Sequence, residues 1–378
     1  MAFDGRVFRV ALTADFYDSE GACRFRDMGL ALFDSHAHIQ TSVFDVHRPE
    51  IGAEQVADVQ GVVVLTPAVT AETVSASEDL LAIVRFGVGY DSVDVGACTE
   101  ANVVVLITAG AVDRSVAEAT VGWMIALTHH MRVKDRLVRT GGWDARTRYM
   151  GSELRDRTFG AVGLGGIARE TVRLLGTFGM NPPLAFDPYV DPDEAGKLGV
   201  ALVSLQELMA ASDFVSVHCP LTRETEGLIG RQELSAMKRG AYLINTARGG
   251  IVDEDALFDA LETGAIAGAA LDCFAEEPVV EPQRFGKFDN VLLAPHSVAW
   301  TGELFRDIGR AACRSMVDLS LGTRPHGVVN PEVFRSRGFQ EKWSRLCSGR
   351  IRGGQATARL HQRQSSRKRT PEKGEARG

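Results

Sequence analysis

The chain has 378 residues, of which 45% are hydrophobic and 24% charged, a composition typical of a globular protein with room for two domains. Residues 335–378 contain 13 Lys/Arg against 3 Glu, which leaves 29 basic and 46 acidic residues in the rest of the chain. This acidic body argues against a nucleic-acid-binding globule, and no apolar run reaches the roughly 20 residues that cross a bilayer. The six scattered cysteines and the start of the chain, which lacks a signal-peptide pattern, favour a cytoplasmic protein.

Short apolar runs alternate with helix-like stretches along most of the chain, which is typical of parallel sheets covered by helices. The first predicted strands are Arg9–Leu12, Gly61–Leu65, Ile83–Phe86 and Val103–Ile107. A capping-box spacing at Ser115 then opens a long helical segment that reaches about Arg139. A second set of strands follows at Thr158–Val162, Pro183–Phe186, Phe214–His218, Ala241–Asn245, Ala267–Leu271 and Val291–Leu293. Helices are predicted between them at Ile167–Phe178 and from a cap at Asp253 to Gly264.

Two α/β domains are predicted from this order of elements. Residues 1–109, completed by 298–334, form the first domain, and residues 110–297 form the second. Beyond residue 335 the composition turns to Arg, Gln, Ser, Thr and Gly with few apolar residues. Such a stretch buries too little surface to offset its ordering entropy, so the basic tail 335–378 is expected to be disordered and no nucleic-acid partner is predicted.

A glycine segment of the form G-x-G-x-x-A lies between a predicted strand and a predicted helix. Gly163 allows a tight turn, and Gly165 lets the backbone approach a pyrophosphate. The helix that starts near Gly166 and Ile167 favours an anion at its N-terminus. Asp187 ends the next strand, about where an acid accepts hydrogen bonds from ribose hydroxyls, and no Arg follows it at once. The segment therefore predicts NAD rather than NADP, against the alternative of a tight turn in a nucleotide-free domain.

Three later segments offer side chains of complementary chemistry. They contain Arg248, the adjacent carboxylates Glu276 and Glu277, and His296. Reduction of a 2-oxo acid needs a guanidinium that binds a carboxylate in bidentate fashion and polarises the neighbouring carbonyl. It also needs an imidazolium that delivers a proton and a carboxylate that keeps the imidazolium charged and oriented. The sequence thus suggests this reaction, with the choice between the two glutamates open.

The segments taken together resemble the D-isomer specific 2-hydroxyacid dehydrogenases. The resemblance covers about residues 5–334 and rests on seven ordered blocks, at 85–94, 115–118, 159–168, 217–222, 243–253, 272–278 and 294–296. It implies two Rossmann-like domains with parallel sheets and a cleft between them, a flavodoxin-like substrate-binding domain and an NAD-binding domain. It also implies an NAD-dependent oxidoreductase that moves a hydride between nicotinamide and C2 of a small D-2-hydroxy acid or 2-oxo acid.

The resemblance also implies roles for individual residues. Arg248 would bind the substrate carboxylate and 2-oxo group, His296 would be the acid/base, and Glu277 its partner. Backbone N–H groups at Val88 and Gly89 would help to hold the substrate carboxylate. The implied cofactor-binding residues are Gly163, Gly165, Gly166, Ile167, Asp187, His218, Cys219, Pro220, Thr225, Thr246, Ala247 and Asp272.

Partners and rival functions follow from the same comparison. The helix from Ser115 is similar to the family's dimerisation element, so a homodimer is expected. An NAD(H)-sensing, co-repressor-like binding protein on the same scaffold is the alternative function. The segment Asp34–His38 imitates the metal-binding H-x-H of amidohydrolases, but no further ligands complete it, and no metal site is predicted. Glyoxylate, lactate, glycerate or hydroxypyruvate, phosphoglycerate and a phosphonate-like analogue stay open as substrates.

Overall fold

The computed structural model describes residues 7–75, 77–280 and 284–347 of the chain. The chain forms two compact units, one made of Met1–Thr108 with Gly309–Gly378 and the other of Ala109–Ile308. The first boundary lies next to the predicted one. The second falls at Ile308, inside the helix Gly302–Ser320, rather than at residue 297. Because one continuous helix crosses this boundary, no change of composition marks it in the sequence.

The first unit contains a five-stranded sheet. Its strands are β1 (Phe8–Leu12), β2 (Ile39–Val43), β3 (Gly61–Val64), β4 (Ala82–Arg85) and β5 (Val104–Ile107). All neighbours are parallel, in the order β2-β1-β3-β4-β5, which is the flavodoxin-like order. The sequence did not predict β2, because four of its five residues are exposed and its pattern is not that of a buried strand. The flavodoxin-like fold predicted for this unit is confirmed.

Helices of the first unit are short near its beginning and longer at its end. They are α1 (Ala71–Ser75), α2 (Val95–Glu100) and, after the second unit, the C-terminal part of α10 (Gly302–Ser320) and α11 (Arg337–Leu346). Asp94 caps α2 by accepting a hydrogen bond from the N–H of Ala97. No helix within the described ranges is long and apolar enough to span a membrane.

The helix α11 lies in the stretch that the sequence predicted to be disordered, so the structure differs from the prediction over Arg337–Leu346. Phe339 and Trp343, four residues apart on one face, are almost fully buried. The indole N–H of Trp343 donates to the backbone oxygen of Leu319 at 2.8 Å. Two large aromatic side chains at helical spacing bury enough surface to order a segment whose average composition is polar. Residues 348–378 of the predicted tail lie outside the described residues.

The second unit contains a seven-stranded parallel sheet. Its strands are β6 (Phe159–Val162), β7 (Leu184–Phe186), β8 (Ala201–Leu202), β9 (Phe214–Val217), β10 (Tyr242–Asn245), β11 (Gly268–Leu271) and β12 (Val291–Leu293). They are arranged in the order β12-β11-β10-β9-β6-β7-β8. This is the 3-2-1-4-5-6 order of dinucleotide-binding domains, with one further strand at the edge. The order reverses between β6 and β9, which places the topological switch point at the ends of these two strands.

Helices cover this second sheet. They are α3 (Asp113–Thr128), α4 (Met131–Arg139), α5 (Gly166–Leu175), α6 (Pro192–Lys197), α7 (Leu205–Ala211), α8 (Arg231–Ala236) and α9 (Glu254–Glu262). The single long helix predicted from Ser115 to Arg139 is therefore two helices. His130 has a left-handed backbone with φ of 53°, which interrupts the helical hydrogen bonding between α3 and α4. The sequence pattern did not predict this break, because left-handed conformation in a non-glycine residue is uncommon.

The core of the second unit lies on both faces of its sheet. Alternate residues of β9 and β10 point to opposite sides, so Val215 and Leu243 join one apolar cluster while Phe214 and Ile244 join another. All four are completely buried. Burial of each such side chain contributes roughly 1.5–3 kcal/mol. The rigid sheet fixes the positions of the loops at the carboxyl ends of its strands, where the site lies.

Candidate active site

The glycine segment forms the turn between β6 and α5. Gly163 has φ of 95°, and a Cβ there would lie 2.8 Å from the backbone nitrogen of Cys219. A Cβ at Gly165, by contrast, would meet nothing within 4 Å. Gly165 precedes the first turn of α5, whose N–H groups have no partner within the helix. Ala168 is completely buried, as close packing of α5 on the sheet requires.

Asp187, just beyond β7, lies beside this turn. One of its carboxylate oxygens accepts a hydrogen bond from the N–H of Leu164 at 2.8 Å, and the other accepts from the N–H of Tyr189 at 2.9 Å. The structure therefore brings Asp187 together with the glycine segment, although 23 residues separate Asp187 from Leu164. The two hydrogen bonds fix the orientation of the carboxylate at the end of the strand. This arrangement fits a dinucleotide whose phosphates lie on α5 and whose ribose lies at Asp187.

The loops after β9 and β10 hold other predicted cofactor residues. The hydroxyl of Thr225 donates to the backbone oxygen of Pro220 at 2.6 Å and closes the turn after Cys219. Burial raises the pKa of the Cys219 thiol to about 11, so this cysteine is an uncharged part of the loop. The hydroxyl oxygen of Thr246 is buried and has no hydrogen-bond partner among the described residues. Because buried polar groups are nearly always paired, Thr246 is suited to a polar ligand, as a cofactor would be.

His218 differs from its neighbours in this loop. Both ring nitrogens are buried and have no hydrogen-bond partner in the part of the chain that the structure describes, although the residue as a whole is partly exposed. Its ring lies 6.4 Å from that of Phe159 in β6. Burial lowers the pKa of His218 to about 4, so the imidazole is neutral at ordinary pH. Its predicted cofactor contact stays a prediction.

The loop after β10 positions Arg248. The side chain of Asn245 spans this loop, donating to the backbone oxygen of Arg248 at 2.8 Å and accepting from the N–H of Ala247 at 3.0 Å. Gly249 follows, where a Cβ would overlap the backbone of Phe274. The guanidinium of Arg248 donates to the backbone oxygen of Ala247 at 2.7 Å. The role of Asn245 in shaping this turn was not predicted from the sequence.

Glu277 and His296 form a hydrogen-bonded pair. Nδ1 of His296 lies 2.7 Å from Oε2 of Glu277, while Oε1 of Glu277 accepts the N–H of Phe274 at 2.9 Å. The side chain of His296 is 43% exposed and that of Glu277 is 34% exposed, so the pair is open to solvent and to a substrate. Burial alone would raise the pKa of Glu277, but the hydrogen bonds from His296 and Phe274 and the charges of His296 and Arg248 lower it. Glu277 is thus an ionised carboxylate whose hydrogen bond orients the imidazole of His296.

Asp272 holds the backbone on which His296 lies. Its backbone oxygen accepts the N–H of His296 at 2.8 Å, and its carboxylate accepts the N–H groups of Ser297 and Val298 at 2.8 and 3.1 Å. His296 has φ of 51°, a left-handed conformation that costs about 1–3 kcal/mol and persists only where its surroundings impose it. Burial is the main cause that raises the pKa of Asp272, and its hydrogen bonds oppose the rise. Its predicted contact with a nicotinamide amide stays a prediction.

The predicted substrate-binding residues Val88 and Gly89 and the H-x-H segment belong to the first unit. Val88 and Gly89 follow β4 in a loop that begins at Gly87, whose backbone oxygen accepts the N–H of Thr108 at 2.9 Å. Their substrate-binding role stays a prediction. In the H-x-H segment, His38 is buried and its Nε2 lies 2.9 Å from the hydroxyl of Ser320, so this histidine is part of the core.

Comparison with known proteins gives a consistent result. Residues 121–298 match the family model described as D-isomer specific 2-hydroxyacid dehydrogenase, NAD binding domain. The chain is 39% identical to a glyoxylate reductase of Thermofilum pendens over 281 residues, which is 73% of this chain and 83% of that protein. It is 37% identical to a D-3-phosphoglycerate dehydrogenase of Archaeoglobus fulgidus over 294 residues, 75% of this chain. That match spans only 55% of the length of the Archaeoglobus protein.

Solved structures show the same likeness. A glyoxylate reductase from Paecilomyes thermophila superimposes with a TM-score of 0.74 at 30% identity, covering 86% of this chain and 99% of that one. The TT0316 protein from Thermus thermophilus superimposes with a TM-score of 0.73 at 28% identity and covers 85% of this chain.

Proposed function

The chain belongs to the D-isomer specific 2-hydroxyacid dehydrogenase family, and from this membership we propose that it is an NAD-dependent oxidoreductase that interconverts a small D-2-hydroxy acid and its 2-oxo acid. The observation on which the proposal depends most is the Glu277–His296 pair, with 2.7 Å between Oε2 and Nδ1. A carboxylate-supported imidazole can donate a proton to a carbonyl oxygen during reduction and remove one from a hydroxyl during oxidation. The pair is thus suited to both directions of the reaction.

The cofactor that we propose is NAD, which supplies or accepts the hydride when bound. The turn at Gly163 and Gly165 and the N-terminus of α5 would hold its pyrophosphate. The carboxylate of Asp187 would accept hydrogen bonds from the ribose hydroxyls, and a carboxylate at this place disfavours the 2′-phosphate of NADP. The orphan hydroxyl of Thr246 supports a polar ligand at the end of β10.

Arg248 is proposed to bind the substrate. Its guanidinium follows β10 in a turn fixed by Asn245, and its charge is among those that lower the pKa of Glu277. A planar guanidinium matches a carboxylate in a bidentate geometry and is charged at every working pH. It would hold the 2-oxo acid with its carbonyl oxygen toward Nε2 of His296, the ring nitrogen that Glu277 does not bond.

We further propose that the protein is a homodimer formed through the region that begins with α3. The four exposed side chains that support this interface belong to the second unit and are Met131, Val138, Trp143 and Met150, with exposed fractions of 48%, 67%, 62% and 80%. Exposed large apolar side chains grouped in 20 residues of sequence indicate a surface that a second copy covers. Sedimentation equilibrium should give twice the chain mass, and Trp143→Glu should shift it toward the monomer. The cytoplasmic location stays a prediction.

The substrate screen tests the activity itself. Oxidation of NADH, followed by its absorbance, is measured with glyoxylate, hydroxypyruvate, pyruvate and 3-phosphohydroxypyruvate, with His296→Ala in parallel. We expect turnover with at least one 2-oxo acid and a loss of about 10²–10⁴-fold in the variant. NADH binding without turnover of any 2-oxo acid would instead favour the co-repressor-like alternative, which neither the family model nor the relatives support.

A further inference from the structure

A cysteine lies beside the proposed acid/base pair. Cys273 follows β11 after one residue, Glu277 comes four residues later in the same loop, and His296 follows β12. One potential ligand atom from each residue, a sulfur, a carboxylate oxygen and an imidazole nitrogen, lies within 4.8 Å of the other two. Cys273 is 2% exposed, whereas Glu277 and His296 are partly open to solvent. Three different donors therefore converge on one small volume with an open side.

The three atoms lie within 4.8 Å of one another, and the separations of ligand atoms in a zinc site fall inside that limit. Zinc binds thiolate sulfur at about 2.3 Å and imidazole nitrogen or carboxylate oxygen at about 2.0–2.2 Å, usually in tetrahedral geometry. Ligand atoms in such a tetrahedron lie about 3.3–3.7 Å from one another. The 2.7 Å separation of Nδ1 and Oε2 is shorter because the two atoms share a proton, and it must widen when an ion replaces that proton. Both side chains are partly exposed, so they can move by this amount while Cys273 stays fixed.

The surroundings of the three residues orient them for an ion. The N–H of Phe274 donates a hydrogen bond to Oε1 of Glu277, which leaves Oε2 as the oxygen that faces His296. Asp272 fixes the backbone of His296 through the hydrogen bonds described above. The thiol of Cys273 donates a weak hydrogen bond to the backbone oxygen of Ala247 at 3.4 Å. In protein metal sites, the metal-binding side chains are oriented by outer-sphere hydrogen bonds of this kind.

We propose that Cys273, Glu277 and His296 form an inhibitory site for a thiophilic divalent cation, with Zn²⁺ as the ion it fits best. On binding, the thiol proton of Cys273 leaves to solvent, and so does the proton that Nδ1 of His296 shares with Glu277. The ring stays neutral with its proton on Nε2, the ion lies between the three ligands, and no electron is transferred. The fourth position of the tetrahedron stays open to water. An imidazole whose Nδ1 is bound to zinc no longer has the carboxylate that supports proton transfer.

Mg²⁺ and Ca²⁺ prefer oxygen ligands and are excluded by the sulfur. The site goes beyond the proposed activity, since it describes how that activity is stopped.

Cobalt tests the site without any assay of turnover. Wild-type protein, Cys273→Ser and the control Cys313→Ser are titrated with Co²⁺ and observed in the near ultraviolet, where a cobalt–thiolate bond gives a charge-transfer band. Cys313 is a matched control, because it is also buried and its sulfur also lies near a backbone oxygen, that of Met28. We expect one equivalent of Co²⁺ with the band in wild type and in the control, displaced by Zn²⁺, and no band in Cys273→Ser. His296→Asn, a second variant, should lower Co²⁺ affinity while Cys273 is intact.

Zinc inhibition supplies the second measurement, with each variant compared with its own rate in the presence of a chelator. Loss of even an outer-sphere partner weakens metal binding about 10–100-fold, so loss of the thiolate should weaken zinc inhibition by at least ~100-fold. Equal cobalt spectra for wild type and Cys273→Ser, or equal zinc inhibition of the two, would overturn the proposal. Failure of every substrate to turn over would refute the proposed activity alone, because the cobalt band is read without it.

Discussion

The carboxylate of Glu277 should raise kcat/KM about tenfold, and the variant Glu277→Gln measures this contribution. Glutamine keeps the shape of the side chain, and its carbonyl oxygen can still accept the N–H of Phe274. At the other position it presents an NH₂ group to Nδ1 of His296, which favours the neutral ring with its proton on Nε2. The variant therefore preserves the loop and removes the support for the imidazolium.

The expected size of this effect follows from the hydrogen bond. A hydrogen bond to a charged group contributes about 1.5–3 kcal/mol and one between neutral groups about 0.5–1.5 kcal/mol, a difference of roughly 1–2 kcal/mol. Since about 1.4 kcal/mol corresponds to a tenfold change in rate, this predicts a 5–30-fold lower kcat/KM. The 34% exposure of the Glu277 side chain screens the interaction, so we expect a value close to tenfold. His296→Ala should lose more, about 10²–10⁴-fold, because it removes the proton donor itself.

The assay is steady-state NADH oxidation with the best 2-oxo acid of the screen. Glu276→Gln is the matched control, because it makes the same chemical change one residue earlier, at an exposed side chain. The double variant Glu277→Gln/His296→Ala should be no slower than His296→Ala, since Glu277 acts through His296. Equal rates for Glu277→Gln and Glu276→Gln, or additive losses in the double variant, would refute the assignment of Glu277 as the partner of His296.

Other predictions concern stability and cofactor binding. Gly163→Ala should lower the free energy of unfolding by about 1–3 kcal/mol, because its φ is 95° and a Cβ would press on backbone. Gly165→Ala, where a Cβ meets nothing within 4 Å, should leave urea unfolding unchanged and weaken NADH binding in a fluorescence titration. Phe339→Ala should cost about 3–5 kcal/mol in urea unfolding, because the side chain is completely buried. The pKa of His218 is lowered from 6.5 to about 4. As the pH falls, His218 therefore takes up its proton at a higher pH in the unfolded chain than in the folded one. The free energy of unfolding should fall by about 3 kcal/mol as the pH drops from 6.5 through about 4. His218→Gln should flatten the fall, as measured by urea unfolding across this pH range.

The sequence predicted the parts of the site that depend on local spacing. The strand–glycine–helix order around Gly163 and the acid at Asp187 are separated by short, regular elements, so their proximity follows from the geometry of one β-α-β unit. The sequence left the choice between Glu276 and Glu277 open on chemical grounds, since two adjacent carboxylates have the same chemistry. The structure places Oε2 of Glu277 2.7 Å from Nδ1 of His296, as the family resemblance implied, while the N–H of Phe274 in the same loop holds Oε1.

The alternation of strands and helices, the parallel sheets and the residue types of the site can be predicted from the sequence, since buried parallel strands appear as apolar runs between helix signals. Features that depend on contacts between distant residues became visible in the folded structure. These are the break at His130, the buried helix α11 in a segment of polar composition, and the approach of Cys273 to His296. Local composition cannot encode them, because each depends on which surface a residue meets after the chain has folded.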